Sequence, residues 1–199
     1  MQPPDFWNHR HGRDAAPLIR TLLSPLSWLY TKGVRRRFKT TQSYDVGIPV
    51  ICVGNATMGG TGKTPVVIYL LQSLRRMQLN AVGLTRGYGG QLKGPIPVHE
   101  RHTSKDVGDE PLLLARHGPV WVSEGRDDGA RAARSHGAQL IVMDDGHQNP
   151  QLTKPLSLLV VDAETGFGNG CVFPAGPLRE PLKDALARTD AVILMKPTP

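Results

Sequence analysis

An apolar strand-like run that opens into a glycine-rich loop and then a helix constrains this chain more than any other feature. Val46–Val53 leads into Gly54-Asn55-Ala56-Thr57-Met58-Gly59-Gly60-Thr61-Gly62-Lys63-Thr64, and Pro65–Met77 reads as a helix. Glycines at such a junction let successive backbone N–H groups converge on phosphate oxygens, and the helix N-terminus adds positive potential. The loop residues Thr57, Gly59, Gly60, Thr61 and Gly62 form the candidate cradle. Lys63 is spaced to reach the terminal phosphates of a nucleotide, and the Thr64 hydroxyl to ligate Mg²⁺. The usual phosphate-loop spacing carries glycine where Thr57 stands. A plain glycine-rich turn with a chance Gly-Lys-Thr is the bland alternative. The strand before, the helix after and an acidic strand downstream favour phosphate binding. A dinucleotide fingerprint fits less well, because Lys63-Thr64 serves phosphate chemistry and not ribose recognition.

The rest of the body repeats short continuous apolar runs between helical segments. Ala81–Thr85, Val120–Val122, Leu140–Met143, Leu156–Val161 and Ala191–Met195 suit strands covered on both faces, with Ala130–His136 and Pro181–Ala187 as crossover helices. The expected fold is α/β: a parallel sheet flanked by helices, of the P-loop NTPase type, with ligands at the carboxyl ends of its strands. The run Leu140–Met143 ends in Asp144-Asp145-Gly146-His147-Gln148-Asn149. An apolar strand closing on aspartate delivers a carboxylate to a metal beside the phosphate loop; a tight turn uses the same residues. His147 by itself carries no assignment, since loop histidines are often simply solvated. Thr85-Arg86-Gly87-Tyr88-Gly89-Gly90 joins a cation and a phenol to flexible backbone. Gly108-Asp109-Glu110-Pro111 sets two carboxylates before the helical stretch Leu112–Ala115. Helix capping, with Asp109 as N-cap, explains that pair; so does orienting or deprotonating an attacking hydroxyl.

Charge is distributed unevenly. The formal net charge is +7, of which residues 1–40 carry +6 through Arg10, Arg13, Arg20, Lys32, Arg35, Arg36, Arg37 and Lys39 against Asp5 and Asp14. Within that stretch Ile19, Leu22, Leu26 and Leu29 fall at helical spacing, with Pro25 expected to kink or divide the helix. An amphipathic segment with Trp28 and Tyr30 at one end and Arg35-Arg36-Arg37 beyond it suits an anionic membrane surface; a helix packed on its own domain is the alternative. The expected division is therefore a basic membrane-associating segment at 1–40 and a nucleotide-binding domain at 41–199. A nucleic-acid partner is disfavoured because the basic residues do not continue into the body. No apolar run is long enough to span a bilayer, and two cysteines, Cys52 and Cys171, exclude a disulfide framework.

Taken together and in this order, these clusters resemble the tetraacyldisaccharide 4′-kinase family, the lipid A 4′-kinases of Gram-negative bacteria. The match is carried by Pro25–Tyr30, Val53-Gly54-Asn55 with Gly59–Pro65, Arg86–Gly90, Gly108–Pro111, Asp144-Asp145-Gly146 with Gln148, and Gly176-Pro177-Leu178-Arg179-Glu180. The resemblance implies ATP-dependent phosphorylation of the 4′-hydroxyl of the lipid A disaccharide 1-phosphate precursor, at the cytoplasmic face of the bacterial inner membrane. It further implies that Asp109 is the catalytic aspartate, working with a histidine of a second domain. Thr64, Glu110, Asp144, Asp145, Gln148 and Glu180 become candidate Mg²⁺ ligands, and Arg86, Tyr88 and Arg126 candidate substrate contacts. His147 and Asn149 depart from the family's usual residues around Gln148. Family members continue into a second α/β domain, whereas this chain ends at Pro199. Two other readings stand beside the kinase: a membrane-associated P-loop ATPase, against which Met58 replaces a signature lysine, and a non-catalytic ATP-binding fragment.

Overall fold

The computed structural model describes residues 4–9 and 12–196; Arg10, counted in the basic stretch, lies outside them. The described chain separates into two compact units, one of residues 42–54 and 63–158, the other of residues up to 41, 55–62 and from 159 onward.

The first of these units carries the parallel sheet. Its strands are β1 (Val50–Gly54), β2 (Ala81–Thr85), β3 (Ile96–Pro97), β4 (Val120–Val122) and β5 (Leu140–Asp144), in the order β3-β4-β2-β5-β1. All neighbours run parallel except β3, which pairs antiparallel with β4 through Ile96↔Val122. Every residue of β2 and β4 is buried, as expected of strands covered on both faces. Pairing of Val50 with Ile141 and of Val53 with Asp144 brings β1 and β5 to a common carboxyl edge. Helices α2 (Lys63–Arg76), α3 (Ser104–Val107), α4 (Asp109–Ala115) and α5 (Arg126–Ser135) complete the unit. Its core joins Val50, Val82, Leu84, Trp121, Ala133, Ile141, Met143 and Leu152.

Several boundaries differ from the sequence expectation. β1 begins at Val50 and not Val46, because Gly47 takes a left-handed φ of 73° and Pro49 has no N–H to donate. α2 begins at Lys63, two residues early, so Lys63 and Thr64 lie in its first turn. α5 starts at Arg126, with Asp127 and Asp128 complementing its N-terminal dipole. α3 carries a reciprocal Thr103–Asp106 capping box, a start signal too short to announce a helix on periodicity alone.

In the other unit a single helix, α1 (Pro17–Thr40), runs through Pro25 without being divided. Proline removes the N–H that would bond the carbonyl of Thr21; the Ser24 hydroxyl donates to that carbonyl instead, at 2.8 Å. Ser27 ties α1 to the chain after residue 170, donating to the Val172 carbonyl at 2.8 Å and accepting from the Ala175 N–H at 3.2 Å. Arg35 pairs with Asp184 at 2.7 Å, and Tyr30 packs edge-on against Phe173. The opposite flank exposes Leu18, Leu22, Leu26, Trp28 and Leu29, with the Lys32 ammonium 3.7 Å from the Trp28 ring centre. β6 (Leu156–Asp162) begins in the unit described above and ends in this one; α6 (Leu182–Leu186) and β7 (Ala191–Met195) follow it. Ala56, Leu159, Val161, Leu178 and Ala185 form its core. Among the described residues no helix is long and apolar enough to cross a membrane.

Candidate functional site

The phosphate-type loop, residues 55–62, is shaped by its own side chains and by a distant segment of the same unit. Asn55, fully buried, donates from Nδ2 to the carbonyls of Thr57 at 2.8 Å and Gly59 at 3.3 Å. The Gly176–Glu180 segment then clamps the loop: Met58 N–H bonds Pro177 O at 2.7 Å, Arg179 N–H bonds Ala56 O at 2.8 Å, and Arg179 Nε reaches Thr57 O at 3.1 Å. Thr57 and Leu178 form an antiparallel bridge. Gly59 and Gly62 adopt φ of 114° and 77°, which side chains resist, and Gly59 and Gly60 are exposed. The Thr61 hydroxyl is buried without a hydrogen-bond partner among the described residues. A buried donor left unpaired costs free energy until a ligand oxygen meets it. Glu180, 1% exposed, pairs with Arg188 at the foot of α6, and Arg188 stacks on Phe38.

The carboxylates and the lysine assemble in the sheet-bearing unit. Lys63 Nζ stands 3.6 Å from Asp145 Oδ1. Thr64 donates its hydroxyl to Glu110 Oε1 at 3.0 Å, joining the first turn of α2 to that of α4. Asp144 is fully buried, and neither of its carboxylate oxygens has a hydrogen-bond partner among the described residues. Burial, followed by the nearby charges of Glu110 and Asp145, pushes its pKa up to about 7, while Lys63 and Arg126 pull it down. An ionised carboxylate in that position calls for a cation. Hard oxygens from Asp144, Asp145, Glu110 and Thr64 suit a divalent ion of the Mg²⁺ type. No three His, Cys, Asp or Glu side chains among the described residues are grouped to enclose an ion.

Asp109 is not an N-cap. The cap position of α4 belongs to Gly108, whose φ of 90° carries the chain into the helix with no side-chain capping bond. A Cβ at Gly108 would collide with the Tyr88 carbonyl, so the Arg86–Gly90 loop lies directly against the start of α4. Asp109 is thus an exposed first-turn carboxylate free of capping duty. Tyr88 is 87% exposed, and Arg86 pairs loosely with Glu124 at 3.6 Å.

Arg126 is buried, at 4% exposure, with its guanidinium donating to the carbonyls of Ser123 at 2.8 Å and Asp144 at 3.3 Å. Burial lowers its pKa to about 10 against the opposing pull of Asp144 and Asp145. It stands as a brace behind the acidic strand end. Gln148 is half-buried on the same loop as Asp145.

A sequence model of the family described as "LpxK: Tetraacyldisaccharide-1-P 4'-kinase" matches residues 19–199. A tetraacyldisaccharide 4'-kinase of Caulobacter vibrioides (strain NA1000 / CB15N) is 56% identical over 200 residues, covering 98% of this chain and 59% of that protein. One from Rhodospirillum centenum is 54% identical over 196 residues, covering 98% and 58%. The crystal structure of the "apo" form of LpxK from Aquifex aeolicus in complex with ATP superposes with a TM-score of 0.78 at 34% identity, covering 89% of this chain and 59% of that one. The chain therefore spans about 59% of the length of such relatives.

Proposed function

This chain belongs to the tetraacyldisaccharide-1-P 4'-kinase family, and from that premise we propose that it supplies the ATP-binding half of a lipid A 4′-kinase. The observation that carries the reading is the buried carboxylate of Asp144, without a hydrogen-bond partner among the described residues, beside Lys63, Asp145 and the Thr64–Glu110 pair. The loop 55–62 cradles the ATP phosphates, with the Thr61 hydroxyl as one donor. Lys63 sets a positive charge against the transferred phosphoryl group. Asp144, Asp145, Glu110, Thr64 and Gln148 hold Mg²⁺, which when bound neutralises charge on the β- and γ-phosphates. Glu180, paired to Arg188, fixes the turn that clamps the phosphate loop and is a ligand candidate only if that pair opens. Asp109 orients or accepts the proton of the attacking 4′-hydroxyl, and Arg86 and Tyr88 contact the sugar phosphate from the neighbouring loop.

The test is transfer of the γ-phosphate. The protein, given γ-labelled ATP, Mg²⁺ and lipid A disaccharide 1-phosphate in detergent, is expected to move label into the lipid. Label appearing only as free phosphate defeats the assignment.

The substrate is a lipid, and α1 offers the surface to meet it. Its outer flank presents Leu18, Leu22, Leu26 and Leu29 beside Trp28 and Lys32. We infer peripheral attachment at the cytoplasmic face of the inner membrane through this flank. In flotation with vesicles containing phosphatidylglycerol, Leu22→Glu with Leu26→Glu should leave the protein at the bottom of the gradient while the unaltered protein floats. Equal flotation of the two rejects this role for α1.

A further inference from the structure

Backbone carbonyls repel one another when they converge, and a cation at their focus relieves that repulsion. The loop after β5 does this. Lys154 Nζ donates to the carbonyls of Asn149 at 2.6 Å, Gly146 at 3.0 Å and His147 at 3.4 Å. A lysine on a short connection ordinarily keeps its ammonium in water and its long stem mobile. Here the ammonium donates to three carbonyls of one turn.

The turn itself explains the convergence. Asp145 takes a left-handed φ of 48°, and the Asn149 N–H closes on the Gly146 carbonyl at 3.0 Å. The Asn149 side chain folds back on Gln151, accepting from its N–H at 2.8 Å and donating to its Oε1 at 2.9 Å. From the β1 side, space is closed: a Cβ on Gly54 would stand 2.5 Å from the His147 Cβ. The loop is packed on one face and held by a charge on the other. It is also the loop that carries Asp144, Asp145, His147 and Gln148.

We propose that Lys154 is a positioning residue: its ammonium is the internal cation that holds the Asp144–Asn149 loop in the shape that presents Asp145 to Lys63. Arg126, donating to the Asp144 carbonyl from α5, braces the start of the same loop at 3.3 Å. Two fixed cations thus hold the backbone of the loop that carries the carboxylates. Lys154 touches neither substrate nor metal; it acts through backbone geometry. The catalytic part of this inference rests on the kinase reading above, whereas the structural part does not.

The test separates the two parts. Lys154→Met keeps the stem and removes the charge, Lys154→Arg restores a cation, and Lys154→Gln serves as a milder neutral variant should the Met form fail to fold. Hydrogen exchange of the backbone amides 146–149 is read first, on the protein without substrate. Exchange there should quicken at least about tenfold in the Met or Gln form, with β2 and β4 unchanged and the Arg form near the natural rate. Full-length kinase assays come second. Loss of an outer support of metal-holding groups costs about 10- to 100-fold, so kcat should fall, the Mg²⁺ concentration for half-activation should rise, and KM for the lipid should stay within about threefold. Exchange unchanged in the neutral variants, or equal in the Met and Arg forms, overturns the proposal. Kinetics unchanged despite faster exchange overturns its catalytic part. A natural protein without transfer activity defeats the kinase reading and leaves the exchange result to decide the role of Lys154.

Discussion

Replacing Lys63 with alanine should lower kcat by about 10²- to 10³-fold, the usual cost of removing one fixed donor from a site where charge develops. The side chain emerges from the first residue of α2 and is largely covered, with its ammonium 3.6 Å from Asp145. It faces two acids at once, since its charge also opposes the upward shift of Asp144 caused by burial, Glu110 and Asp145. Two consequences separate a phosphate-directed role from a merely structural one. Binding of ATP should weaken far less than kcat falls, because the lysine acts most on the transferring group. Loss of the ammonium should also raise the pKa of Asp144 further. Holding a metal needs the ionised carboxylate, so the acid limb of the residual activity should move to higher pH. Steady-state kinetics of the full-length protein between pH 6 and 9 provide both readings. A kcat within tenfold of the natural value, with an unmoved acid limb, would remove Lys63 from the chemistry.

How much of this was visible before the structure depends on how local the encoding is. Gly54–Thr64 could be read because glycine spacing, a preceding apolar run and a following helix are contiguous, and β5 could be read because its apolar residues end abruptly on Asp144. The clamp on the phosphate loop could not. Met58 meets Pro177, and Ala56 meets Arg179, across some 120 residues, and nothing in the Gly176–Glu180 segment itself announces a partner. The same limit applies to Lys154 and Arg126. Lys154 reads as a surface cation in the sequence and Arg126 as a candidate substrate contact, and each becomes a support only where tertiary packing converges carbonyls on it. Pro25 does not divide α1, for a smaller reason. The rule that proline divides a helix counts a lost backbone bond, and it overlooks a serine at the preceding position able to satisfy the orphaned carbonyl.

Asp109 is where sequence and structure pull hardest in different directions, and its replacement gives the second large effect. As a cap its loss would cost stability, typically about 1 kcal/mol, and no chemistry. The structure gives the cap to Gly108 and leaves the Asp109 carboxylate exposed in the first turn of α4, one residue from Glu110 and its bond to Thr64. Its structural contribution is then a favourable interaction with the helix dipole, about 0.3–1 kcal/mol. A carboxylate that orients or accepts the proton of an attacking hydroxyl is worth about 10²- to 10⁴-fold in rate. Asp109→Ala should therefore fold with nearly natural thermal stability, bind ATP normally, and transfer phosphate at least a hundredfold more slowly. Asp109→Asn, which keeps the shape and loses the charge, should be no better. Glu110→Gln makes the informative contrast: it disturbs the hydroxyl of Thr64 and should shift the Mg²⁺ requirement, whereas Asp109→Ala should leave that requirement alone. A protein with alanine at 109 that is destabilised by about 1 kcal/mol or more yet keeps its kcat would return Asp109 to the service of α4, and the proton would have to be managed by another group.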